Sequence, residues 1–493
     1  MFEPIAVAFI TFAVLCACLL FGVLVFLGYR SWKDETPHGF IIKPYIQLGL
    51  NPQKGERRSL EILWHDVGAA DEWFVHIHKP ASGRSHILHP TVRVIDIPDA
   101  NPPIHPHHQF RVEVTDLAPG EEFEYRIHRQ GAIVFTGTAR APKGRGSNIR
   151  FAVLGDIAKW GKDERRIASR IYGDKPDFVA VVGDAVYLNG RLNEYLSLFF
   201  PVYNAEVHGP ASGAPLMRST LMVFAPGNHC LGRPEPRIEP NFDEFADLFG
   251  YFMLWSQPLN GPTAEAAWRS YTALKGANSR IKAMRVAAGS RFPRMLSFSF
   301  DYGDSHWVIV DSNLYMDWND KELRDWLEKD LAAAKEATWK FVMFHHSAFH
   351  SNRHHQDGVR MRLVADIFER HGVDVVFAGH VHAYERTRPL KFKVKPYSRG
   401  RLMNAFGHVQ GEFTLDMEFD GVTKTTPDGV IYILTGAGGA PLHGDTQGKL
   451  KPRTVLAVSD RHSYTLCDVE GRKLTVRQLG SDGEEIDRFT ITK

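Results

Sequence analysis

VFAGHVHAYERT, residues 376–387, ends an apolar run with a glycine and then sets two histidines one residue apart. If the run is a strand, alternation sends neighbouring side chains to opposite faces, so His380 and His382 share a parity and aim the same way. Two imidazoles then converge on one point. That is either metal-ligand geometry or a pair of surface histidines, and ligands elsewhere in the chain decide between the two.

Working outward, the middle of the chain carries six continuous apolar runs, each closed by a polar cluster: RFAVLGD, DFVAVVGD, LMVFAPGNH, HWVIVDSN, KFVMFHH and VDVVFAGHVH. Continuous apolar runs read as strands buried on both faces. Helical stretches such as DKELRDWLEKDLAAAKEA lie between some of them, giving βα crossovers and an α/β sheet covered on both sides. In such sheets the site lies beyond the strand C-termini, where the polar clusters fall.

Upstream the pattern differs. SLEILWHD alternates through Leu60, Ile62 and Trp64, EWFVHIHK through Trp73, Val75 and Ile77, and a third run through Phe123, Tyr125 and Ile127. A small β-sandwich fits residues 40–141, and APKGRGSN at 141–148 reads as the linker between it and the α/β sheet. From about Gly421 strands return. TGAGGAP, residues 435–441, lacks a phosphate-loop ending and reads as a flexible turn.

The chain of 493 residues is 44% hydrophobic and 24% charged, which places it among globular proteins with room for a large core. A formal charge of +2 without a basic stripe gives no footprint for nucleic acid. Cys16 and Cys18 lie in an apolar run and only Cys230 and Cys467 remain, so no disulfide framework is implied. The run from Ile5 to Leu27 is interrupted only by Thr11 and is long enough to span a bilayer, so a membrane helix is expected over residues 5–28. A cleaved signal peptide is the runner-up, disfavoured by a start, MFEP, without Lys or Arg. Arg30 and Lys33 after the run would, taken literally, put the bulk of the chain in the cytoplasm.

The strand ends together supply Asp156, Asp184, Tyr187, Asn228, His229, His345, His346, His380 and His382. Carboxylate, phenol, amide and imidazole without cysteine suit hard or borderline ions rather than a structural zinc site. For seven protein ligands to hold two ions with positions left open, one carboxylate must bridge, and Asp184 is the natural candidate. Either His345 or His346 could be the ligand from its strand; the Val-x-x-His spacing from Val342 favours His345.

In these residues the chain resembles the purple acid phosphatases of the calcineurin-like metallophosphoesterase superfamily. Five blocks carry the resemblance in order: GDIA with Asp156, GDAVY with Asp184 and Tyr187, GNH with Asn228 and His229, VMFH with His345, and GHVH with His380 and His382. The resemblance covers residues 40–493 and implies a four-layer metallophosphoesterase sandwich, two mixed sheets flanked by helices, over 149–493. A fibronectin III-like β-sandwich would precede it at 40–141, after the transmembrane helix. It also implies Asp156, Asp184, Tyr187 and His382 around a ferric ion, and Asp184, Asn228, His345 and His380 around a second ion, iron, zinc or manganese. The paired histidines would then diverge, one to each ion.

The resemblance further implies hydrolysis of phosphoric monoesters by a metal-activated hydroxide, with His229 protonating the leaving group or holding the developing anion, His354 and His355 facing the substrate, and an extracytoplasmic catalytic domain. Three departures stand out: Ala158 for a usual glycine, Cys230 where an acidic residue usually supports His229, and no proline after the metal histidine. The same two-ion core would serve a phosphodiesterase or a nucleotide or sugar-phosphate phosphatase, with the insertion between Cys230 and Arg294 lining the mouth. A catalytically silent metal-binding scaffold is the reading from outside the enzymes.

Overall fold

A computed structural model describes residues 39–52, 57–159, 161–233, 239–263, 265–266, 273–353, 355, 358–404, 407–444 and 450–493. The expected membrane helix at 5–28 and His354 lie outside the described residues. Among the described residues, no helix is long and apolar enough to cross a membrane.

Eight strands between Ile42 and Arg140 make two antiparallel four-stranded sheets. One runs in the order Ile42–Gln47, Arg58–Asp66, His107–Leu117, Thr91–Ile95, and the other Arg84–Leu88, Trp73–Lys79, Glu122–Arg129, Ala132–Arg140. Alternation read from the sequence holds in the second sheet, where Trp73, Val75, Ile77, Phe123, Tyr125 and Ile127 are all buried. The sheets meet through Trp64, whose ring stacks on Phe110 at 5.3 Å and tilts against Trp73 at 5.7 Å.

Arg58–Asp66 departs from alternation, being buried along both faces from Ser59 onward. Its second face is covered by residues 253–256: Ser256 Oγ donates to Glu61 Oε2 at 2.5 Å, Tyr45 Oη to the Leu254 carbonyl at 2.7 Å, and Gln109 Nε2 to the Met253 carbonyl at 2.9 Å. This part of the insertion therefore clamps the sandwich, whereas the sequence reading had it lining a mouth.

The remaining strands form two mixed sheets. Leu221–Phe224, Phe178–Val181 and Ile149–Leu154 run parallel and continue antiparallel through Ser463–Glu470, Lys473–Gly480 and Glu485–Thr492. In the seven-stranded sheet, Ser305–Ile309, Trp339–His346, Val375–Gly379 and Ile431–Thr435 are parallel, and Phe298–Tyr302, Tyr384–Thr387 and Thr454–Val458 are antiparallel additions at its two ends.

An aromatic layer joins the two sheets, with Phe151 4.9 Å from Trp307 and 5.3 Å from Phe341, and Phe178 5.3 Å from Trp307. On the outer face of the seven-stranded sheet, Leu323, Leu327 and Leu331 of helix Lys321–Ala333 share a core with Val308, Val342, Phe344 and Val376. Spacing of four keeps these leucines on one helix stripe. Asp320 caps the helix by accepting from the amides of Glu322 and Leu323. Parallel strands from both sheets end at one edge of this sandwich, and that edge carries the polar clusters.

Candidate metal centre

Asp156, Asp184 and His380 each follow a parallel strand with left-handed backbone, φ +57°, +44° and +71°. Such conformations are uncommon for non-glycine residues and persist where neighbours enforce them. Here main-chain bonds do so. The amide of Ile157 donates to the Asp184 carbonyl at 3.0 Å, that of His229 to Asp184 Oδ1 at 2.8 Å, and that of His380 to Asp156 Oδ2 at 2.9 Å. The departure at Ala158 shows the same stress, with φ +29° in a region that favours glycine.

Alternation does not explain the two histidines of GHVH. The strand ends at Gly379, His380 turns left-handed, and the imidazoles part. His382 Nε2 lies 3.0 Å from Tyr187 Oη and 3.4 Å from Asp156 Oδ1, and Tyr187 Oη is also 3.0 Å from Asp156 Oδ1. The His380 ring instead sits 4.4 Å from that of His346 and 5.2 Å from that of His345. Among the described residues, two groups bring potential ligand atoms within 4.8 Å of one another: Asp156, Asp184 and His345, and His345, His346 and His380.

Electron-pair donors gather around His345. His345 Nδ1 lies 3.0 Å from the Val182 carbonyl, so it carries the ring proton there, and Nε2 lies 3.0 Å from both Asn228 Oδ1 and Asp184 Oδ2. The contact to Asp184 lacks hydrogen-bond alignment, which leaves Oδ2 buried without a donor. His382 is held the same way, Nδ1 2.6 Å from the Pro441 carbonyl and Nε2 turned to the oxygens. A carbonyl behind each ring is how metal-binding imidazoles are commonly fixed.

Electrostatics show what the cluster lacks. Burial alone would lower the pKa of His345, yet Asp184 and Asp156 raise it to about 9. Burial works against ionised Asp184 too, but His345 and His229 hold it below the usual carboxylate range. A positive charge is wanted between Nε2 and these oxygens, and a cation supplies it as well as a proton does. Tyr187 is pushed well above 10 by burial and then by Asp156 and Asp184, so a phenolate there needs a strong cation beside it. The donor set fits metal ions.

Both histidines of KFVMFHH point inward because the strand bulges. Met343 pairs with Phe377, but Gly379 pairs with His346 where a regular ladder would give His345, so this strand carries one extra residue. The amides of His345 and His346 consequently reach the same acceptor, Ser312 Oγ, at 3.1 and 2.9 Å. Asn228 and Asp184 approach His345, not His346.

His229 keeps an orienting partner despite the cysteine beside it: its Nδ1 lies 2.5 Å from the Leu188 carbonyl. Cys230 turns under Asp184 instead, where Sγ accepts from the Ala185 amide at 3.4 Å and burial, then Asp184, pushes the thiol up to about 12. His355 stacks at 5.0 Å on His443 and stands 4.8 Å from His380.

His443 is a residue that the sequence reading missed. Its ring stacks on His382 at 3.8 Å, and its Nδ1 accepts from the His382 amide at 3.1 Å. The available signal was TGAGGAP just upstream, which is buried packing, not a flexible turn. Gly438 donates to the Gly155 carbonyl at 3.0 Å and Ala440 to that of Asp156 at 2.8 Å. A Cβ on Gly436 would meet Asp156 Oδ2 at 2.6 Å, and one on Gly227 would meet Asp184 Oδ1 at 2.1 Å. These glycines are places where backbone presses on a candidate ligand.

Residues 149–384 match the model of the calcineurin-like phosphoesterases. An uncharacterized protein of Mycobacterium tuberculosis is 24% identical over 405 residues, 79% of this chain and 69% of that one. Purple acid phosphatase 23 of Arabidopsis thaliana is 27% identical over 308 residues, 59% of this chain and 52% of its own length, so the chain spans about half of that relative. Among solved structures, the purple acid phosphatase PPD1 from yellow lupin seeds shares the fold with a TM-score of 0.65 at 18% identity, covering 91% of this chain and 74% of that one.

Proposed function

Since residues 149–384 are a calcineurin-like phosphoesterase domain with purple acid phosphatase homologues, and the chain thus a hydrolase of phosphoric esters, we propose that it hydrolyses phosphoric monoesters at a dinuclear metal centre. Asp156, Asp184, Tyr187 and His382 hold the first ion, ferric iron, and Asp184, Asn228, His345 and His380 hold the second, iron, zinc or manganese. One observation carries this reading. Nε2 of His345 and of His382, each backed by a main-chain carbonyl, is turned to oxygens of Asp184, Asn228, Asp156 and Tyr187.

When bound, such a pair of ions activates a water and neutralises charge on the phosphoryl oxygens. The chain's own residues do the positioning. Asp184 stands between the two clusters, fixed by the His229 amide. The Leu188 carbonyl orients the His229 ring, which in its imidazolium form has a second N–H to pass to the leaving oxygen. His355 stands at the rim beside His380, where it meets the substrate.

The sandwich of two four-stranded sheets supports a fibronectin III-like domain at 40–141 ahead of a catalytic domain at 149–493. The apolar run at 5–28 supports a single-pass anchor; a catalytic domain outside the cytoplasm rests not on that run but on the resemblance to the purple acid phosphatases. Purified protein assayed for metal and for turnover of p-nitrophenyl phosphate against its bis ester tests the reading. Two ions per chain with faster monoester turnover are expected. Bis-ester preference would move the assignment to a phosphodiesterase, and two bound ions without turnover of either would leave a scaffold.

A further inference from the structure

Ser312 Oγ has three neighbours: the amide nitrogens of His345 and His346 at 3.1 and 2.9 Å, and His346 Nδ1 at 3.0 Å. A hydroxyl oxygen has two lone pairs and one proton. The two amides can only donate, so they take both lone pairs, and the Ser312 proton must go to His346 Nδ1. His346 is thereby fixed with Nδ1 as acceptor and its own hydrogen on Nε2.

This is the opposite arrangement to that of its neighbours. His345 and His382 each have Nδ1 turned to a carbonyl, which keeps the Nε2 lone pair for a cation. His346 has no lone pair left on Nε2 and cannot ligate through it. Yet its ring is packed among the proposed ligands, 5.0 Å from that of His345 and 4.4 Å from that of His380, at 4% exposure. An N–H held there among electron-pair donors serves an anion, and the anion of a phosphoesterase is the phosphoryl group.

Resting on the proposed dinuclear site, we infer that His346 is a phosphate-binding residue whose Nε2–H donates to a phosphoryl oxygen beside the second ion. It needs no reorientation, because Ser312 sets the ring before substrate arrives. His345 and His346, adjacent in sequence, thus divide the work: one takes the metal and the other takes the oxygen.

Two variants separate the ring nitrogens. His346→Asn places an amide near the Nδ1 position, able to accept from Ser312 but without a donor at Nε2. His346→Gln carries an N–H out to the Nε2 position. In metal-loaded full-length protein, with metal counted by plasma mass spectrometry and inorganic phosphate binding measured by calorimetry, all three forms should hold both ions. His346→Asn should bind phosphate about tenfold more weakly than wild type, and His346→Gln within about threefold of it.

Loss of one ion from either variant would make His346 a ligand and overturn the inference, as would equal phosphate affinity in wild type and His346→Asn. Wild type that holds two ions but no phosphate would overturn the hydrolase reading together with this donor. The tautomer can also be read in wild type, whether or not the variants fold, from a long-range proton–nitrogen correlation spectrum of zinc-loaded protein. Hydrogen on Nε2 of His346 supports the assignment, and hydrogen on Nδ1 overturns it.

Discussion

His345 Nε2 stands 3.0 Å from Asp184 Oδ2, both fully buried, and the pair is out of alignment for a hydrogen bond. The two groups hold each other charged: Asp184 helps raise the His345 pKa to about 9, and His345 keeps Asp184 below the usual carboxylate range. Asp184→Asn leaves the buried imidazolium without that anion and is therefore expected to lower the melting temperature of metal-free protein by a few degrees. With metal the gap should widen, because the variant holds fewer than two ions and gains less from binding. Turnover of p-nitrophenyl phosphate should fall at least about a hundredfold. A variant that loads both ions and melts above wild type with metal present would remove Asp184 from the bridge.

Tyr187 Oη lies 3.0 Å from both Asp156 Oδ1 and His382 Nε2 in a fully buried setting that resists ionisation. Only a strong Lewis acid would draw a phenolate there, and a ferric phenolate absorbs visible light. Iron-loaded wild type should be coloured and zinc-only protein colourless, with Tyr187→Phe bleaching the iron form. An absorption spectrum checks this, and colour that survives in Tyr187→Phe would exclude the phenol as ligand.

The glycines beside the centre give a steric test. A methyl at Gly436 would come 2.3 Å from the Val381 carbonyl oxygen and 2.6 Å from Asp156 Oδ2, with no flexible side-chain end to yield. Gly436→Ala should destabilise by about 2–4 kcal/mol in denaturant titration and reduce metal uptake. At Gly173, in the helix Lys162–Asp174, an added methyl would meet nothing within 4 Å, so Gly173→Ala should stabilise by up to about 1 kcal/mol. Equal responses at the two positions would deny the close approach its role.

What the sequence made legible was whatever is periodic or local. The six apolar runs are strands because buried parallel strands need apolar residues on both faces, and their polar ends meet because all of them finish at one edge. Features set by contacts between distant segments were not legible. The bulge that turns His345 and His346 inward depends on register with Val375–Gly379, and the parting of His380 from His382 depends on a left-handed residue after the strand. Both faces of Arg58–Asp66 are buried because residues 253–256 cover the second one, which alternation cannot reveal. TGAGGAP reads as a flexible turn, and His443 beyond it is missed, because a glycine run looks alike whether it is loose or pressed against a carboxylate.

A last expectation concerns pH and lies away from the centre. His306 stands between two carboxylates, Nδ1 2.7 Å from Asp301 Oδ1 and Nε2 2.9 Å from Asp330 Oδ2. Burial by itself would lower its pKa, but the two carboxylate bonds outweigh burial and raise it from 6.5 to about 9. Both nitrogens can donate only in the charged ring. Because the folded pKa lies above the unfolded one, this stabilisation is fully present below about pH 6.5 and is lost as pH rises through about 9. Asp301 is 55% exposed, which weakens its share, so the effect should be of order 2 kcal/mol. Urea unfolding at pH 6 and pH 9.5 should show wild type losing that much relative to His306→Gln, since groups common to both proteins cancel in the difference. Parallel pH dependence in the two proteins would mean that the ring is neutral in the folded state.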